Sequence, residues 1–133
     1  MKIGIVVAEF YKELTDKMLE SAQHKAKELG VDIIDIKRVF GSYDSPLIVK
    51  SLLEKDIDGV VVLGIIIQGG TDHDKLIAQT TASYLTKLSL KYNKPVTLGI
   101  MGPNITRKQA EERIDKYASN AIKAVVKSIE ALS

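Results

Sequence analysis

Four Val- and Ile-rich segments separated by stretches of helical period predict an α/β fold, a three-layer sandwich with a four-stranded parallel sheet and helices on both faces. Three observations carry that expectation. The apolar segments at residues 2–8, 31–38, 59–67 and 95–101 are largely continuous rather than alternating, as strands covered on both faces are. Helical patterns lie between successive segments, so parallel strands joined by right-handed crossovers are expected. The 133 residues leave room for one domain with a real core and little for a second, so residues 1–133 are read as a single domain.

The elements follow in order. After the first strand, a helix is expected from about Leu14 to Leu29, because Leu14, Met18, Ala22 and Ala26 recur every four residues and Gly30 offers a stop. A shorter helix follows Pro46, whose missing amide needs no partner in a first turn; Leu47, Val49 and Leu52 supply its apolar side. A third helix is expected to start near Asp72, with Ile77, Thr81, Leu85 and Leu88 facing inward. A fourth starts at Thr106, where Thr106 and Gln109 have capping-box spacing. A final helical pattern uses Ile122, Val125, Val126, Ile129 and Leu132.

Composition removes several function classes. Cysteine is absent, so there is no disulfide framework and no thiolate nucleophile. The two histidines, His24 and His73, are too far apart in the chain to suggest a metal set. A formal charge of +2 spread among acids gives no basic stripe for nucleic acid; Lys123 and Lys127 read as a solvated face. No apolar run approaches the roughly 20 residues of a membrane span. Lys2–Val7 reads as a strand rather than a secretion signal, so a cytoplasmic protein with neither nucleic-acid nor membrane partner is expected.

In an open parallel sheet, ligands gather outside the carboxyl ends of the strands. Phe10, the segment Gly41–Pro46 and the segment Gln68–His73 follow the first three strands, so three loops converge on one sheet edge. Gly69 and Gly70 permit a tight turn, and Thr71 and Asp74 have the spacing of a cap and its third residue. The helix start would present amides and a positive dipole end to an anion, although Asp72 and Asp74 oppose one unless they point away. A plain strand-to-helix turn is the competing reading.

His73 sits in that first turn, where an imidazole suits proton transfer near neutral pH; a structural histidine is the alternative. His24 lies within the first helix, away from the loop edge. Phe10 offers a stacking face or ordinary packing, Tyr43 an aromatic wall, and Asp44 a ligand for hydroxyls or a turn hydrogen bond. Arg113, about two turns into the fourth helix, can clamp phosphate or form a surface ion pair. Lys12 and Lys75 are further cations without diagnostic spacing.

Taken in order, Ala8-Glu9-Phe10, Gly41-Ser42-Tyr43-Asp44-Ser45-Pro46, Gly64 to His73 and Thr106 to Arg113 resemble the lumazine synthase family over nearly the whole chain. The resemblance implies condensation of 5-amino-6-(D-ribitylamino)uracil with 3,4-dihydroxy-2-butanone 4-phosphate, giving 6,7-dimethyl-8-ribityllumazine, phosphate and water. It implies that Phe10 stacks on the pyrimidine while Ser42, Tyr43 and Asp44 line the uracil and ribityl site. Ile66 and Ile67 would supply backbone contacts, and Gly70, Thr71 and Arg113 would receive phosphate. His73 would shuttle protons, with no metal or redox cofactor. Family sites form between subunits, so Leu98 and Arg113 would come from a neighbour in a homopentamer, sometimes built into an icosahedral shell.

Three departures from the family pattern stand out. Tyr43-Asp44-Ser45 replaces a common Phe-Glu-Ile, and Leu98 replaces a commonly aromatic wall. The segment Asn120-Ala121-Ile122-Lys123-Ala124 lacks the acid that many members carry in the last helix, leaving Asp72 or Asp74 as substitutes beside His73. Leu98 and the altered last helix motivate the alternative of a noncatalytic flavin- or lumazine-binding protein, and the family's habit of forming shells motivates that of a shell-forming protein.

Overall fold

The computed structural model describes residues Met1–Ser133. Four parallel strands, β1 (Lys2–Ala8), β2 (Asp32–Val39), β3 (Gly59–Ile65) and β4 (Val96–Met101), form one sheet in the order β2-β1-β3-β4. The helices are α1 (Lys12–Glu28), α2 (Ser45–Leu53), α3 (His73–Tyr92) and α4 (Arg107–Leu132). This is the expected three-layer sandwich.

Position in the sheet explains each strand's composition. Central β1 and β3 are buried almost throughout, matching their continuous apolar sequences. Edge strands β2 and β4 are only partly covered, and β2 carries Asp32, Asp35, Lys37 and Arg38, charges that discourage edge pairing with another chain. On one sheet face, Ile5, Val7 and Leu63 pack with Leu14 and Met18 of α1 and Ile122 of α4. On the other, Val6, Val60 and Val62 pack with Val49 and Leu52 of α2 and Leu85 of α3. The crossover through α1 runs toward one sheet edge and those through α2 and α3 toward the other, so a common handedness puts them on opposite faces.

Three sequence expectations need correction. The third strand stops at Ile65 rather than at residue 67, because Ile66 and Ile67 turn off the sheet into the following loop. The fourth helix and the final helical pattern are one helix, Arg107–Leu132, since nothing between them breaks the backbone ladder. The inward face of α3 centres on Asp74, Ala78, Thr81 and Leu85, with Ile77 and Leu88 half-buried beside it. The capping box of Thr106 and Gln109 forms, each side chain accepting from the other's amide at 3.2 and 3.0 Å. No helix is long and apolar enough to cross a membrane.

Strand order reverses direction between β1 and β3: the chain first crosses to β2, then returns past β1 to β3. The two loops leaving β1 and β3 therefore diverge and open a crevice at the carboxyl edge.

Candidate active site

That crevice holds a cavity of about 370 Å³, walled by the loops after the first three strands. The loop after β1 contributes Phe10 and Tyr11, and the segment after β2 contributes Phe40 through Asp44. From the β3 side come Ile65, Ile66, Ile67, Gly69 and Thr71, with His73, Asp74 and Ile77 at the start of α3.

The aromatic wall is built by edge contacts. Phe10 meets Tyr11 at 5.0 Å between ring centroids and 80°, and Phe40 at 5.6 Å and 85°. Such geometry puts a ring's positive edge on its neighbour's negative face. Phe10 remains 60% exposed, so ring surface is left for a ligand.

The second wall is a single 3₁₀ turn, Ser42–Asp44, running directly into α2 with Pro46 in the helix's first turn. Asp44 closes the turn by accepting from Gly41 N at 3.0 Å, and Ser45 Oγ donates to the Ser42 carbonyl at 2.7 Å. Ser42 is buried and its Oγ has no hydrogen-bond partner in the protein. A Cβ on Gly64 would overlap that oxygen, so glycine at this position is what lets the turn lie against β3. Leaving a buried hydroxyl unpaired costs on the order of 1–3 kcal/mol.

The third wall leads into α3. Asp72 takes the cap position, and Thr71 Oγ1 accepts from His73 N at 3.3 Å. The expected pairing of Thr71 with Asp74 does not form. Asp74 is instead drawn inward, and its Oδ2 accepts from Asn104 N at 3.1 Å. One oxygen of each cavity carboxylate, Asp44 and Asp74, is thus engaged by a backbone amide.

No lysine or arginine lines the cavity. Lys12 pairs with Asp16 at 2.6 Å, and Lys75 faces Asp72 at 3.7 Å. Arg38 contacts Asp16 at 2.8 Å and Glu9 at 3.4 Å, tying β2 to α1 and to the residue before Phe10. Lys12 and then Arg38 hold the Asp16 carboxyl below its ordinary range.

Eight of the residues singled out in sequence therefore share one cavity: Phe10, Ser42, Tyr43, Asp44, Ile66, Ile67, Thr71 and His73. Gly70 is exposed in the same loop without bordering it. Leu98 borders a separate depression with Tyr117 and Asn120, and Arg113 is exposed on α4, outside the cavity. The surface ion pairs at the start of that helix belong to Arg107, with Glu13 and Glu111. His24 is exposed on α1. Tyr11, Phe40, Gly69, Asp74 and Ile77 line the cavity without having been singled out as ligand contacts. Phe40 had a signal, an aromatic directly before the Gly41 turn.

Against known proteins, residues 1–133 match the family profile described as 6,7-dimethyl-8-ribityllumazine synthase. The chain belongs to that family. Relatives bearing the name 6,7-dimethyl-8-ribityllumazine synthase include one from Picrophilus torridus, 51% identical over 133 residues, covering 99% of this chain and 97% of that one. One from Saccharolobus solfataricus is 47% identical over 131 residues, covering 98% and 85% of the two chains. One from Methanococcus maripaludis is 47% identical over 133 residues, covering 99% and 96%. The three-loop cavity is thus a feature of a lumazine synthase family chain matched from end to end.

Proposed function

We propose that the cavity is the condensation site of this enzyme. As a member of its family, the chain is a transferase of riboflavin biosynthesis that condenses 5-amino-6-(D-ribitylamino)uracil with 3,4-dihydroxy-2-butanone 4-phosphate, releasing phosphate and water. The observation that carries the site is the meeting of an aromatic face, the Ser42–Asp44 turn and His73 at one switch point.

Each wall has chemistry suited to one part of the reaction. Phe10 stacks on the planar pyrimidine, while Ser42, Tyr43 and Asp44 meet its polar edge and the ribityl hydroxyls, with Ile66 and Ile67 alongside. The substrate amine attacks the ketone carbonyl, and loss of water gives an imine. Phosphate is then eliminated, the resulting enol becomes a carbonyl, and the ribityl-bearing nitrogen attacks that carbonyl with loss of a second water as the ring closes. His73 carries protons among these steps. Holding two substrates in register supplies much of the rate gain.

A phosphorylated substrate needs a cation, and none lines the cavity of one chain. Gly70 and Thr71 lie just before the Asp72 cap of α3, whose amino end carries a partial positive charge. We assign the missing full charge to Arg113 of an adjacent copy, with Leu98 of that copy closing the pyrimidine side. This makes the working form a homo-oligomer, a pentamer or a shell of pentamers, in the cytoplasm. Purified protein given both substrates should form the lumazine chromophore and free phosphate in equal amounts. A folded protein that forms neither, beside an active control, would overturn the proposal.

A further inference from the structure

We propose that Asp74 is a positioning residue for this reaction: its buried carboxylate fastens the turn that carries His73 to the loop between β4 and α4. The proposal rests on the reading of the cavity as the condensation site. Asp74 is 5% exposed and is the one buried ionisable side chain in the protein. Burying a charge is costly unless it is hydrogen-bonded or otherwise compensated. Two compensations are present, the amide of Asn104 at 3.1 Å and the positive end of α3, in whose first turn Asp74 lies.

The segment between β3 and α3 has no regular structure of its own. Its attachments to the rest of the chain are few. Ile66 N donates to the Met101 carbonyl at 2.8 Å, and Gln68 N donates to the Ile105 carbonyl at 2.8 Å. Past Gln68, the next hydrogen bond to a distant part of the chain is that between Asp74 and Asn104. Thr71 Oγ1 with His73 N is internal to the turn and ties it to nothing outside. His73 is therefore held between two anchors on one loop, Ile105 on one side and Asn104 on the other. Without the second, the turn carrying the imidazole is restrained at one end by Gln68 and at the other only by the axis of α3.

The test uses Asp74→Leu, which fills the same buried volume without an acceptor, and Asp74→Asn, which keeps an acceptor without the charge. Each variant is first shown to assemble as the unaltered protein does. For Asp74→Leu, kcat should fall about ten- to a hundredfold, as misplacement of a reacting group by about 1 Å does, while KM for the pyrimidine stays within about twofold. Asp74→Asn should restore kcat to within about threefold of the unaltered protein, and the Asn104 amide should be protected from hydrogen exchange there but not in Asp74→Leu. Unchanged kcat in Asp74→Leu would overturn the proposal. So would an Asp74→Asn variant as slow as Asp74→Leu, which would show that charge rather than the tie matters. Loss of the lumazine product in the unaltered protein is a different failure, that of the cavity reading itself.

Discussion

The ring of Phe40 stands at 85° to that of Phe10 with centroids 5.6 Å apart, so the last residue before the Gly41 turn braces the aromatic that follows β1. Phe40 is itself 74% exposed. Aromatic pairs of this geometry contribute about 0.5–1.5 kcal/mol beyond area burial. Phe40→Ala should therefore raise KM for the pyrimidine about two- to tenfold through a less ordered Phe10, and alter KM for the phosphorylated substrate by less. Steady-state kinetics with each substrate varied in turn checks this; equal changes in both would argue against a pyrimidine-side role.

Arg113 and His73 belong, on this account, to different chains of one working site. Arg113→Ala should raise KM for the phosphorylated substrate, and His73→Ala should lower kcat while leaving assembly intact. Mixed assemblies formed by refolding the two impaired variants together should regain activity, because some interfaces then carry both native residues. No recovery in verified mixed assemblies would place both residues in one chain's site.

Gly64 and Ser42 make a further prediction. A methyl on Gly64 would overlap Ser42 Oγ and come within 3.5 Å of Ala8 Cβ, between two packed strands. Gly64→Ala should destabilise the fold by about 1–3 kcal/mol, the usual cost of overpacking. Denaturant unfolding measures it. The paired change Gly64→Ala with Ser42→Gly should recover part of that loss, since it removes the colliding atom.

Asp16 gives a pH-dependent expectation. Lys12 and Arg38 depress its carboxyl in the folded protein, so the stability it lends is present above the ordinary carboxylate value and is lost as pH falls through the folded one. Asp16→Asn should lower stability by a small, constant amount near neutrality, small because the group is exposed and screened, and the two curves should converge as pH falls below about 4, giving the variant a shallower acid limb. Thermal unfolding across pH 2–7 would show a steeper acid limb in the variant if this sign were wrong.

Much of the architecture was legible because the signals were redundant. The apolar runs, the recurrence of Leu14, Met18, Ala22 and Ala26, and the Thr106–Gln109 pair each specify local structure that packing then reinforces. Three loops at one edge follow from the strands being parallel, so the cavity could be located before its walls were known. What escaped depended on tertiary competition. Asp74 had capping-box spacing from Thr71, but Asn104, 30 residues away, claims its carboxylate. The third strand ended early because Ile66 and Ile67 serve the cavity wall rather than the sheet. Phe40 lies beyond the expected strand 31–38 and has no sequence-assigned role, and only the placement of Phe10 opposite reveals what its ring touches.

The central claim is that one cavity brings the pyrimidine and the phosphorylated ketone together. Following absorbance of the lumazine product and release of phosphate in one reaction, from the two purified substrates, tests it most directly. Equal amounts of both products are expected from the unaltered protein, with a large, parallel loss of both rates in His73→Ala. Neither product from folded, assembled protein, or an unchanged rate in His73→Ala, would contradict it.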